Sequence, residues 1–142
     1  MENNELGNLY RDAILDHCRN PRNHDPLQDP DSTGRSVNPF CGDEVEIQLS
    51  MDGGRVTGVG VQAVGCSINQ ASSSMMAEVL DGKGAEEAAA MAEDFRRMML
   101  EGGDERELNG LGSLSALNGV REFPVRIKCA LLPWSALKDA LD

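Results

Sequence analysis

The chain has 142 residues, 40% of them hydrophobic, and a formal net charge of −11. A domain of that size buries roughly two-thirds of its unfolded surface, so a core can form without disulfide staples. The negative charge repels phosphates and excludes a nucleic-acid partner, and no run reaches the ~18 consecutive apolar residues of a membrane span.

Aromatic residues make up only 4% of the chain, so the core must be built from Leu, Val, Ile, Met and Ala. The first seven residues are polar and acidic, without the basic flank and apolar run of a secretory signal. A cytoplasmic location follows as an expectation. Thiols stay reduced there, and the four cysteines then read as ligands, nucleophiles or core residues rather than two disulfides.

Leu6, Leu9, Tyr10, Ala13, Ile14 and His17 recur at helical spacing and predict an amphipathic helix over Glu5–Arg19. Asn20-Pro21 ends it, because the residue before proline is pushed out of the helical region. Pro21–Pro39, rich in Pro, Asp and Asn, reads as a long ordered loop or an arm. Val45, Ile47, Leu49 and Met51 alternate with Glu44, Glu46, Gln48 and Ser50, the pattern of a strand with one wet face. Asp52-Gly53-Gly54 supplies a hairpin turn, and Val59, Val61 and Ala63 continue on a return strand. Gly58 and Gly60 weaken that strand or mark a close approach of another backbone.

After Gly65-Cys66, a helix is predicted over Ile68–Leu80 with Ser67 as its N-cap. Asp81–Gly84 breaks it, and a further helix follows over Ala85–Leu100. Gly102–Gly112 reads as a loop and Ser113–Val120 as a short helix. Beyond Phe123-Pro124 two short apolar segments are expected, the second opening with Pro133 at its first position. The whole is one α+β domain over 1–142, a small antiparallel sheet packed against several helices.

Three cysteines occupy special places. Cys41 precedes the first strand, Cys66 lies where the return strand meets a helix, and Cys129 lies late in Ile127-Lys128-Cys129-Ala130. A helix N-terminus favours an anionic side chain at Cys66. Tetrahedral zinc accepts three thiolates and a carboxylate, and Asp43 stands two residues from Cys41 across a glycine. The spacings between the cysteines are long, so buried apolar cysteines are the competing reading. Cys18 reads as a packing residue, since its neighbour His17 points elsewhere on the helix. Met75-Met76 and Met98-Met99 read as core. The glycines from Gly58 to Gly65 miss the dinucleotide-binding fingerprint.

Several segments together resemble one family. Leu9-Tyr10-Arg11 with Asp16-His17, Asn20-Pro21-Arg22-Asn23, Asn38-Pro39 with Cys41-Gly42-Asp43, Gly65-Cys66-Ser67-Ile68, Ser72–Met76 and Phe123–Ala130 resemble the U-type iron–sulfur cluster assembly proteins. The match runs through nearly the whole chain in order. Lys128 stands where the IscU-like scaffold branch usually has a histidine, and a glycine-rich acidic stretch around Gly102–Gly119 lengthens the approach to Cys129. Phe123–Ile127 does not reproduce the Leu-Pro-Pro-Val-Lys chaperone motif of those scaffolds. The chain is therefore most similar to the SufU-like branch.

The resemblance implies a SufE/NifU-like fold and zinc held by Cys41, Asp43, Cys66 and Cys129. It implies a catalytic Cys41 that accepts persulfide sulfur from a SufS-like cysteine desulfurase and serves downstream iron–sulfur assembly proteins. Neither nucleic acid nor membrane is expected as a partner. The alternative it leaves open is a scaffold holding an iron–sulfur cluster on the same thiolates, with Asp43 as a labile oxygen ligand.

Overall fold

The computed structural model describes the backbone of residues 2–39, 42–102, 106 and 110–142, and within those ranges the side chains from residue 11 onward except at 113. The element order is α1 (Glu2–Arg19), β1 (Ser32–Asn38), β2 (Asp43–Asp52), β3 (Arg55–Val64), α2 (Ser67–Leu80), α3 (Ala85–Glu101), a 3-10 segment (Gly112–Glu122) and α4 (Pro124–Leu141). The strands form an antiparallel sheet in the order β1-β2-β3. The expected α+β class holds.

The alternation along β2 and β3 sorts their side chains. Val45, Ile47, Leu49, Val56, Val59 and Val61 are buried on one face, against Met75, Met76 and Leu80 of α2 and the rest of the core. The register pairs Ile47 with Val61 and Leu49 with Val59, so these contacts stack across the strands. Phe95 of α3 and Trp134 of α4 stack with ring centroids 4.9 Å apart, an arrangement that adds to their burial. All four methionines of the two pairs are buried, as expected.

The other face of the sheet is drier than its sequence suggests. The segment after α1 folds over it, and a Cβ on Gly60 would meet the Asp25 carbonyl oxygen at 2.7 Å and the Leu27 nitrogen at 3.2 Å. Of the two roles expected for these glycines, close backbone approach is the one found at Gly60. Asn23 ties this segment to the edge of β3, accepting from the Val61 N–H at 2.8 Å and donating through Nδ2 to the Val59 carbonyl at 3.0 Å. Gln48 is consequently buried rather than wet.

Several expectations need correction. Pro21–Pro39 is not wholly loop, because Ser32–Asn38 forms β1, paired from Ser32↔Leu49 to Asn38↔Asp43. Its sequence, Ser-Thr-Gly-Arg-Ser-Val-Asn, has one large apolar residue, because α4 lies directly on it. Any side chain at Gly34 would overlap the Ala136 carbonyl, and Asp139 of α4 accepts from the Arg35 N–H at 3.1 Å.

The chain after Phe123 is a single helix with Pro124 in its first turn and Pro133 inside it. Pro133 is buried, so packing outweighs the lost hydrogen bond to the Cys129 carbonyl. Ser67 is the first residue of α2, and the N-cap position belongs to Cys66, with no side-chain cap. The stretch expected as a short helix is 3-10 from Gly112 to Glu122. Leu111, Leu114, Leu117 and Val120 are all buried and recur every three residues, the period of a 3-10 helix rather than an α-helix. Residues 103–105 and 107–109 of the loop expected over Gly102–Gly112 lie outside the described residues, and Arg106, Gly110 and Leu111 have helical backbone.

Candidate metal centre

The start of β2, the start of α2 and the second turn of α4 meet at one end of the sheet, and each brings one donor. Asp43 is the first residue of β2, Cys66 caps α2, and Cys129 lies five residues into α4. Three ligand atoms, one from each residue, lie within 4.8 Å of one another. Asp43 and Cys129 are buried and Cys66 is half-buried. The fourth expected ligand, Cys41, lies outside the described residues.

Asp43 connects the other two. Its Oδ1 accepts from the Cys66 backbone N–H at 2.9 Å, and its Oδ2 accepts from the Cys129 thiol at 3.1 Å. That arrangement requires Gly65. Its φ of +132° lies where side chains are rarely tolerated, and a Cβ there would overlap Asp43 Oδ1. Ser72 links the helices that carry the cysteines, donating to the Ala130 carbonyl at 2.6 Å and accepting from Trp134 Nε1 at 3.3 Å.

Burial pushes the Cys129 thiol well above its usual range, and the neighbouring Asp43 and Cys66 push it the same way. Arg126 precedes Cys129 by three residues and so shares its face of α4. Its guanidinium is exposed, and its nearness to the Cys66 sulfur, with Cys129 behind it, raises its pKa further. Two thiols and a carboxylate suit zinc, whose tetrahedral ligands stand roughly 3.3–3.8 Å apart. The three ligand atoms lie within 4.8 Å of one another, so the residues present fit that metal.

Cys18 is not part of this group. Its half-buried thiol donates to the Ser67 carbonyl at 3.0 Å, and burial raises its pKa, in keeping with a packing role. His17 is buried and pairs through Nδ1 with Ser74 Oγ at 2.7 Å. Lys128 is exposed beside Cys129. Sequence reasoning missed Asn69 and Gln70, which donate to the Val64 and Gly65 carbonyls at 3.1 and 3.2 Å. The available signal was a pair of amides three and four residues after a cysteine at a helix start.

Comparison with known proteins decides the family. The model of the NifU-like N terminal domain matches residues 9–130. The chain belongs to that family. It is 42% identical over 139 residues to the zinc-dependent sulfurtransferase SufU of Bacillus subtilis, covering 98% of this chain and 93% of the relative. It is 36% identical over 141 residues to the iron–sulfur cluster assembly scaffold protein IscU of Streptococcus pyogenes, covering 99% and 87%.

The fold is similar to the crystal structure of FiSufU from Fervidobacterium islandicum, a scaffold candidate for the SUF system. The TM-score is 0.85 at 33% identity, over 92% of this chain and 94% of that one. The NifU-like N-terminal protein of Brucella abortus gives a TM-score of 0.81 at 29% identity, over 91% and 89%. This NifU-like chain is thus an iron–sulfur cluster assembly protein of the SufU/IscU kind. Among its described residues no helix is long and apolar enough to cross a membrane.

Proposed function

We propose that this chain, a single cytoplasmic domain over 1–142, is a zinc-dependent sulfur carrier that takes sulfur from a SufS-like cysteine desulfurase and hands it to downstream iron–sulfur assembly proteins. The observation that carries the reading is the convergence of Asp43, Cys66 and Cys129 from three separate elements. Cys41 is the fourth ligand and the acceptor. It stands two residues before Asp43 in the sequence.

The transfer balances without an added oxidant. The Cys41 thiolate attacks the outer sulfur of the donor's persulfide, a new S–S bond forms on Cys41, and the donor cysteine leaves as thiolate. Bound zinc keeps thiolates deprotonated and shielded from oxidation. Arg126, near the Cys66 sulfur, and Lys128 offer positive charge to the donor protein at the rim of the site. Gly42, next to Cys41 in sequence, has φ of +71°, a backbone conformation that favours glycine. Cys66 caps α2 and Cys129 lies within α4.

Zinc is favoured over a cluster by Lys128, which stands where the scaffold branch has histidine, and by the printed name of the Bacillus subtilis relative. The second reading, a scaffold for an iron–sulfur cluster, is supported by the IscU relatives and by the thiolates themselves. Metal analysis of anaerobically purified protein, followed by mass spectrometry after reaction with desulfurase and cysteine, tests the proposal. Close to one zinc per chain and added sulfur on Cys41 are expected. Sulfur on Cys66 or Cys129 with Cys41 unmodified overturns the assignment of the acceptor, and iron with acid-labile sulfide in place of zinc favours the scaffold.

A further inference from the structure

Three side chains hold the two peptide units that lead into Cys66. Asn69 Nδ2 donates to the Val64 carbonyl at 3.1 Å and Gln70 Nε2 to the Gly65 carbonyl at 3.2 Å, while Asp43 Oδ1 accepts the Cys66 N–H at 2.9 Å. The Gly65 carbonyl and the Cys66 N–H belong to one peptide plane, which is therefore gripped at both ends. Rotation of that plane is the motion that would swing the Cys66 side chain, because Gly65 at φ +132° opposes it weakly.

Asn69 is costly where it stands. It is fully buried, and its Oδ1 has no hydrogen-bond partner. A buried polar atom left unpaired costs about 1–3 kcal/mol, comparable to what its donated bond returns. Stability alone does not explain an amide in that position. Features that are locally unfavourable in this way concentrate at functional sites.

We infer that Asn69, assisted by Gln70, is a positioning residue that aims the Cys66 sulfur at the metal. The inference rests on the zinc reading above for the identity of the metal. It concerns residues outside the ligand set. Partners that orient a ligand without touching the metal typically change metal affinity about 10–100-fold when removed.

The test uses Asn69→Leu and Gln70→Met, apolar replacements of similar reach that lose the donor. Zinc affinity is expected to fall about 10–100-fold in Asn69→Leu, and less in Gln70→Met, whose amide is at the surface. In protein loaded with cobalt, the thiolate charge-transfer and d–d bands are expected to shift. The metal-free Asn69→Leu protein is expected to melt no lower than the original. In metal-free protein, alkylation of Cys66 by iodoacetamide, located by mass spectrometry, is expected to speed up several-fold in both variants. Unchanged affinity, spectrum and alkylation rate overturn the inference, as does a lowered melting point with those three unchanged. A parent protein that binds no zinc overturns the metal reading instead, and the alkylation rates then decide this one.

Discussion

The Cys129 thiol donates to Oδ2 of Asp43 at 3.1 Å, across 86 residues of sequence. The same carboxylate holds the Cys66 N–H with its other oxygen. Asp43 thus has two separable tasks, one toward the turn before α2 and one toward α4.

Those tasks separate by substitution. Asp43→Asn keeps an oxygen for the Cys66 N–H and loses the charged donor. Its metal-free protein is expected to melt close to the original, while zinc affinity drops more than about tenfold. Asp43→Ala also strands a backbone N–H, which adds about 1–3 kcal/mol of destabilisation. Chemical denaturation with zinc titration of both variants checks the pair. Equal affinity in Asp43→Asn and the parent removes Asp43 from the ligand set.

Gly65→Ala places a methyl group where Asp43 Oδ1 lies, on a backbone at φ +132°. Strain of this kind costs of order 1–3 kcal/mol, and Asp43 must move to relieve it. A lowered denaturation midpoint together with weaker zinc binding is the expected result. A variant that loses neither shows the turn to be adaptable.

His17 gives a pH dependence whose sign follows from its surroundings. Burial lowers its pKa below the ordinary value, and the nearby Arg22 charge acts in the same direction. The unfolded chain, with histidine near 6.5, then binds the proton more readily than the folded one. The stabilisation from neutral His17 is complete above about pH 6.5 and is lost as the pH falls below that value toward the lowered folded pKa. His17→Gln is expected to flatten this part of the profile in metal-free protein. Urea midpoints measured between pH 5 and 7.5 check it, and an equally steep slope in the variant assigns the dependence to other groups.

Arg126 and Lys128 are both exposed beside Cys129. Charge reversal at both positions is expected to raise the concentration of this chain needed for half-maximal desulfurase stimulation, and to do so more at low salt than at high. An unchanged half-maximal concentration at low salt makes them ordinary solvated charges.

Local pattern was enough to reveal the β2–β3 hairpin, α1, α2 and α3. Each rests on a repeated apolar period that any part of the fold would respect, as in Val45, Ile47 and Leu49 against Val59 and Val61. Cys41, Asp43, Cys66 and Cys129 were legible as a set only through family resemblance, because their long spacings carry no local signal. Tertiary structure decided the rest. Strand β1 has no such period, since Gly34 is small to admit α4. Pro133 sits inside a helix because burial there outweighs one lost hydrogen bond. The roles of Asn69 and Gln70 depend on where the Val64 and Gly65 carbonyls point, a backbone orientation that becomes definite only when β3, α2 and Asp43 are packed together.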